Sequence, residues 1–333
     1  MFWQDRLLRE QSYIAYLIFV ILLFTSSVGF VGFDKLLRAP VQKNFFVTYK
    51  HLPIFFEHHG KIKKLQNSSE PETEGIKEYF DSQPSKLNTL PKYSRLVAPI
   101  FIWRLPADLK RMTKVSHRKK LFIKLLLPLL IRHNIAITEK RLYLKILIEK
   151  PISRLSIDEQ NWLVKNALHY KIFNKSISKP IITKEILKEL LNRIDIIPVS
   201  LALAQSSLET GWGTSRFSID GNALFGQWTW RTNKGIRPKE RALGKVHSVL
   251  RFSQLADSIE DYTHNLNSSS HYRSFRSKRS ALRKAGYPID TWAQNLVEEL
   301  KKYSSNSKHY ISTIKTIIQV NQLTDFDNYS LHP

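Results

Sequence analysis

Residues 204–213 read AQSSLETGWG and residues 221–226 read GNALFG, and these two stretches decide how the 333-residue chain is interpreted. The first stretch ends an apolar run on a carboxylate, Glu209. The run predicts a helix with Pro198 at its first position and Gly211 as its left-handed end. Free carbonyl groups at a helix C-terminus repel negative charge, so a Glu there breaks a local rule, and such exceptions often mark functional residues.

The helical period gives Glu209 a definite environment. Leu201, Ala204 and Leu208 share one stripe, and Glu209 falls at its edge beside Gln205, which we take as a candidate substrate-binding residue. We expect Glu209 to lie partly desolvated at the floor of a cleft. Desolvation and the helix end both disfavour the ionised form and raise the pKa, as a general acid requires. The alternative is an ordinary surface Glu in a frayed last turn.

Aromatic and amide side chains follow Glu209 closely in sequence, and they suit the alternating apolar and polar faces of a sugar chain. Aromatic residues are core residues by default, so we expect about half of them to pack inward. The aromatic candidates are Trp212, Phe225, Trp228 and Trp230, and the amides are Asn222 and Gln227.

Composition limits the classes of protein that remain. A chain of this length with 42% hydrophobic residues can bury a sizeable core, which predicts one main domain with attachments. The absence of Cys excludes disulfides, thiolate chemistry and Cys-ligated metals. The net charge of +24 favours an anionic neighbour such as nucleic acid, lipid or a cell-wall polymer. A bias towards Lys, Ile and Asn in the protein's residue usage explains the charge equally well.

The most basic segment is 96–150, where 13 Lys and Arg face three acidic residues. One interpretation is a surface that lies on anionic lipid or wall polymer. The other is a set of amphipathic helices whose polar faces happen to be basic.

The N-terminus predicts a membrane anchor. Residues 13–33 carry no charged side chain and are long enough to cross a bilayer. A cleaved signal peptide is the alternative, with Ser27 and Gly29 near a possible cut. The positive-inside rule favours a cytoplasmic location for the chain that follows the span. The cations that set this bias are Arg6 and Arg9 before the span, and Lys35, Arg38, Lys43 and Lys50 after it.

The remaining chain divides by composition. Residues 1–12 form a short tail, and 34–95 form a juxtamembrane segment and linker rich in Pro and acidic residues towards its end. Residues 96–180 read as a basic helical extension with separate runs over 118–132 and 141–149, and 181–325 read as the catalytic domain. Ser156 and Glu159 have the form of a capping box, and Thr183 is placed to cap the next helix.

Several blocks together resemble the Bax-like branch of the bacterial glucosaminidases, glycoside hydrolase family seventy-three. They read AQSSLETGWGTSRF, GNALFGQW, GIRPKER, FSQLADSIEDYTHNLN and YSSNSKHYISTIKTII, and the resemblance runs from about residue 96 to residue 323. It implies a mainly α, lysozyme-like fold with a small β-hairpin beside the cleft. It also implies hydrolysis of the β-1,4 bond after N-acetylglucosamine in peptidoglycan, without a cofactor or metal.

Residue roles carry over from the resemblance position by position. Glu209 matches the family's general acid, and Glu240 fits the spacing of its second carboxylate. Tyr303 matches a tyrosine that faces the cleft in relatives, although Lys302 and Ser307 replace the Gly and Pro of that segment. The cleft-lining block is matched by Asn222, Phe225 and Gly226. We expect a structural role for Tyr262, Asn265, Tyr272 and Phe275.

The sequence thus predicts a hydrolase of glycan strands, held in the inner membrane by one span, with its catalytic domain in the periplasm. The Lys and Arg count around the span favours the opposite orientation, but the substrate lies outside the cytoplasm, so we expect the catalytic domain to face the periplasm. Three alternatives stay open: a muramidase or lytic transglycosylase of the same fold, a non-catalytic wall-binding scaffold, and a basic nucleic-acid binder. His247, His264 and His271 lack the spacing of metal ligands.

Overall fold

The computed structural model describes residues 95–174, 176–177, 179–229, 235–236 and 248–331. The predicted tail, the predicted membrane span at 13–33 and the linker up to residue 94 lie outside the described residues. The described part is mostly helical with two small sheets, which confirms the mainly α fold class.

The helices and strands are numbered here in chain order. The helices are α1 (Val115–Ile148), α2 (Ile157–His169), α3 (Lys184–Arg193), α4 (Val199–Thr210), α5 (Arg216–Gly221), α6 (Leu255–Ser268), α7 (Arg273–Lys284), α8 (Trp292–Leu296) and α9 (Ser307–Val320). The strands are β1 (Leu96–Val97), β2 (Trp228–Thr229), β3 (Gly235–Ile236), β4 (Ser248–Leu250) and β5 (Ser330–Leu331). Short 3-10 helices include Ala107–Arg111 and Leu323–Asn328.

The sheet beside the predicted cleft is more than the expected hairpin. Its three short strands are antiparallel in the order β2-β4-β3, so β4 pairs with both partners. Val249 is the shared register point, opposite Trp228 on one side and Ile236 on the other. A separate parallel pair, β1 with β5, joins the start of the described chain to its end.

Helix α1 replaces the two separate helical runs that the sequence predicted. It continues through the segment at 133–140 because Ile137 within that segment and Leu144 and Leu147 beyond it are buried, and their packing outweighs local propensity. On length and composition α1 qualifies as a membrane span, but 61% of its most apolar stretch is buried inside the protein. We therefore describe α1 as the central core helix.

Two hydrophobic clusters hold the described residues together, and α1 contributes to both. The first joins residues near Leu105 and the first half of α1 to α4, α6 and α9. The second joins the other half of α1 to α2 and α3. Both clusters draw side chains from either side of residue 180, so the predicted boundary there does not coincide with a break in packing.

The predicted caps are confirmed. The Ser156 side chain accepts from the Glu159 backbone N–H, and the Glu159 carboxylate accepts from the Ser156 backbone, which completes the capping box. Thr183 accepts from the backbone N–H of Ile186 at the start of α3. Such caps supply acceptors for backbone groups that the first turn of a helix leaves unpaired.

Helix α4 obtains its cap from a distant part of the chain. Pro198 is the N-cap residue and not the first helical residue, so the helix begins one residue later than predicted, at Val199. Pro198 has no side chain that can cap the helix. Asp327 instead accepts from the backbone N–H of Ser200 at 2.9 Å and from its hydroxyl at 2.5 Å. The C-terminal 3-10 helix thereby fixes the start of the helix that carries Glu209.

Candidate active site

Helix α4 brings Glu209 to the surface from inside the core. Ten of its twelve residues are buried, so the helix is enclosed on all sides instead of showing the single apolar stripe that its sequence predicted. Leu208 is half-buried and Glu209 is exposed. Gly211 ends the helix in the left-handed conformation with φ of 58°, as predicted.

Gly226 lies against the Glu209 carboxyl. Its backbone has φ of +64°, a conformation that favours glycine, and a Cβ added there would stand 2.9 Å from Oε2 of Glu209. The glycine of the GNALFG block is therefore needed both for its backbone angle and for the space that the carboxyl occupies.

The surroundings of Glu209 favour a protonated carboxyl. Packed protein around the group removes much of its hydration and raises its pKa to about 7, although one face of the side chain stays open to solvent. A hydrogen bond from the Tyr310 hydroxyl acts in the opposite direction and is the smaller effect. The raised pKa agrees with the partial desolvation that the sequence predicted for Glu209.

A chain of buried hydrogen bonds supports Tyr310 from behind. Its hydroxyl accepts from Nε2 of Gln205 at 2.9 Å, and the Tyr262 hydroxyl donates to Oε1 of Gln205 at 2.6 Å. Gln205 has no solvent-exposed surface. We correct its assignment accordingly: a residue enclosed between two tyrosines has no surface for substrate, and its position suits it to orient Tyr310 and, through Tyr310, Glu209.

Tyr303 also stands behind the carboxyl. Its hydroxyl donates to the carbonyl oxygen of Phe225 at 2.9 Å, and its ring stacks on that of Tyr310 with centroids 5.3 Å apart. Phe225 in turn stacks on Tyr262 at 3.9 Å. Because the Tyr303 hydroxyl is occupied by a backbone carbonyl, its geometry favours bracing the segment that leads to Gly226 over taking part in the reaction.

Two members of the predicted substrate-binding set are buried. Phe225 is 2% exposed and packs in the core. Asn222 is 4% exposed, and its amide donates to the carbonyl oxygens of Phe252 and Ser253, which ties the block to the start of α6. Their positions correct the expectation that these side chains line the cleft, because they shape its wall from inside.

The tryptophans occupy different environments. Trp228 is 54% exposed on β2, two residues after Gly226. Trp212 is half-buried with φ of 61° and packs edge-on against Phe122 of α1, with Lys119 Nζ lying 4.7 Å from its ring centroid. Among the described tryptophans, Trp228 is the exposed one, two residues from the glycine that contacts Glu209.

Glu240 and Trp230 lie outside the described residues, and so does His247. Within the described ranges, no group of three or more His, Asp or Glu side chains is arranged to hold a metal ion. Asp261 on α6 hydrogen-bonds Gln227, the residue after Gly226, and desolvation raises the pKa of Asp261.

Tyr310 was not identified from the sequence, whereas the structural role expected for Tyr262 agrees with its buried hydrogen bond to Gln205. Both belong to blocks that carry the family resemblance, but their contacts to Gln205 span 105 and 57 positions along the chain. The only sequence indication was that Tyr310 lies in the same segment as Tyr303, seven residues later.

Two comparisons with known proteins found a match. The model of the glucosaminidase family, described as mannosyl-glycoprotein endo-beta-N-acetylglucosaminidase, matches residues 184–323. The chain is similar to Protein bax of Escherichia coli (strain K12), with 33% identity over 215 residues that cover 65% of this chain and 74% of that protein. No solved structure matches the chain. Glu209, Gly226 and Tyr310 fall inside the matched range, and α1 precedes it.

Proposed function

Because this chain belongs to the glucosaminidase family, in its Bax-like branch, we propose that it hydrolyses peptidoglycan at the β-1,4 bond after N-acetylglucosamine. The observation that carries the proposal is the state of Glu209. An accessible carboxyl at the end of a buried helix, with its pKa raised to about 7, is suited to deliver a proton at neutral pH.

In the proposed reaction Glu209 protonates the glycosidic oxygen as the bond to the sugar breaks. Gly226 and Tyr310 hold the carboxyl in place, and Gln205 and Tyr262 hold Tyr310. Trp228 offers an exposed ring on which a sugar face can stack. The carboxylate that results on Glu209 receives a stabilising hydrogen bond from Tyr310.

Water attacks the sugar from the opposite face, and we propose Glu240 as the base that activates it. An inverting reaction needs the two carboxyl groups about 6.5 to 9.5 Å apart, which leaves room for that water. The alternative is assistance by the substrate's own acetamido group. Glu240→Gln separates the two: loss of turnover beside retained binding supports the base, whereas unchanged turnover supports the acetamido route.

We propose further that the span at 13–33 anchors the enzyme in the inner membrane with the catalytic domain in the periplasm, where its substrate lies. A reporter fused after Pro333 tests this topology. Activity of a reporter that works only outside the cytoplasm supports the orientation, and activity of a cytoplasm-restricted reporter contradicts it.

Reducing-end analysis of digested peptidoglycan tests the reaction itself. The full-length protein is expected to release fragments that end in N-acetylglucosamine. Ends of N-acetylmuramic acid, or of its anhydro form, assign the enzyme as a muramidase or a lytic transglycosylase instead. Binding without new reducing ends assigns it as a wall-binding scaffold.

A further inference from the structure

The loop that follows Glu209 is enclosed by residues that precede the family match. A Cβ added at Gly213 would lie 2.7 Å from Cδ2 of Leu109 and 2.9 Å from Cδ2 of Phe122. Phe122 and Lys119 both contact Trp212. The segment 105–122 therefore packs directly against the loop that follows Glu209, although the family model begins only at residue 184.

This segment is strongly basic. From residue 109 to residue 138 the chain contains no Asp or Glu. Lys110 and Arg111 directly follow Leu109, which packs beneath the loop; Lys120 directly follows Lys119, and Lys114 lies five residues before it. The side chains of Lys110, Lys114 and Lys120 are exposed, and none of the three forms an ion pair with another described residue.

Lys119 connects this charge to the site. Its Nζ donates to Oδ1 of Asn321 at 3.3 Å while it lies over the Trp212 ring, so two contacts from different parts of the fold hold it. Trp212 stands three residues after the acid. A ligand that extends sideways from a glycan near Glu209 would therefore meet positive charge along this edge.

We infer that Lys110, Lys114, Lys119 and Lys120 form a surface that binds the carboxylates of the peptides attached to the glycan strand. The inference rests on the proposed function, since it concerns the same substrate. Peptidoglycan sugars are largely uncharged, and the free carboxylates of the attached peptides supply its negative charge. The lysines lie close in sequence to residues that pack on the loop after Glu209, and their charge is complementary to the peptide carboxylates. This position favours the peptides over a membrane or a nucleic acid, because binding to either of those would not require lysines near Glu209.

Cosedimentation of the full-length protein with purified peptidoglycan tests the inference. The variant Lys110→Ala/Lys114→Ala/Lys120→Ala spares Lys119, which packs on Trp212. We expect its Kd for intact peptidoglycan to rise about fivefold or more, because several weak exposed charge contacts are lost together. Wild-type protein should bind about as weakly once the peptide carboxylates have been converted to neutral amides.

A matched variant controls for net charge. Lys188→Ala/Lys278→Ala/Lys284→Ala removes three exposed lysines from α3 and α7 and should leave the Kd unchanged. Equal weakening in both variants, or none in either, overturns the inference. So does loss of binding to phosphatidylglycerol vesicles with unchanged binding to peptidoglycan, which assigns the surface to lipid. Absence of new reducing ends with wild-type protein counts against the proposed function alone, because the binding ratios are measured without turnover.

Discussion

Gly226 and Glu209 are in direct contact, and the space beside the glycine is the space that the carboxyl oxygen fills. Residues 17 positions apart in sequence thus define the position of the proposed general acid. Position 226 has no room for a side chain, because a Cβ there would come within 2.9 Å of Oε2 of Glu209.

Gly226→Ala should lower kcat by about tenfold or more, since a shift of about 1 Å in a catalytic group is enough for such losses. KM should change less, because Trp228 and the rest of the cleft remain. Steady-state kinetics on soluble glycan fragments measure both constants. Gly286→Ala is the control: this glycine also has a left-handed φ, of +71°, but nothing lies within 4 Å of an added Cβ. It should cost stability and leave kcat unchanged, and a similar kcat loss in both variants would contradict the steric argument.

The pH dependence of activity should follow Glu209. A general acid works in its protonated form, so kcat should fall as the pH rises through about 7, the value to which desolvation raises this pKa. Tyr310→Phe removes a hydrogen bond that favours the ionised form of Glu209, so the alkaline limb of the kcat against pH profile should move to higher pH. Tyr303→Phe removes a bond to the Phe225 carbonyl and should leave the limb in place. A Tyr310→Phe profile displaced to lower pH would be inconsistent with this assignment.

The raised pKa also predicts a cost in stability. The folded pKa of about 7 lies above the ordinary value of 4.5, so the contribution of this carboxyl to stability is present at low pH and is lost as the pH rises to about 7. Glu209→Gln removes the ionisation. Its melting temperature should match wild type near pH 4 and exceed it at pH 8. Equal melting temperatures at pH 8 would mean that the carboxylate is not disfavoured in the folded protein.

The cap on α4 gives a prediction about the fold. Asp327→Ala should lower the free energy of unfolding by about 1 kcal/mol, the usual cost of losing a helix cap, because the Ser200 N–H and hydroxyl lose their acceptor. Urea unfolding at neutral pH measures the change. Asp325→Ala in the same 3-10 helix removes an exposed side chain and should have little effect. An equally small effect at both positions would show that Asp327 does not cap the helix.

Local features were the predictable ones. The end of α4 at Gly211 and the caps at Ser156 and Thr183 depend on residues within one or two turns, and sequence alone identified them. Glu209 was proposed as a functional residue for the same reason, since its conflict with the helix end is local.

Features that depend on tertiary packing could not be predicted from the sequence. Gln205 and Asn222 are polar, and they lie near Glu209 and within the GNALFG block in the sequence, which suggested contact with sugar. Their burial depends on partners elsewhere in the chain, Tyr262 and Tyr310 for the first and Phe252 for the second. The continuity of α1 likewise follows from side chains buried at its far end, which periodicity over a short window does not reveal.

The most direct test of the central claim is the rate at which full-length Glu209→Gln protein releases reducing ends from purified peptidoglycan, beside wild type. Gln keeps the shape of the side chain and removes the transferable proton. The rate of Glu209→Gln is expected to be lower by about 10²-fold or more, with binding to peptidoglycan retained. A variant that cleaves at the wild-type rate would contradict the assignment of Glu209 as the general acid.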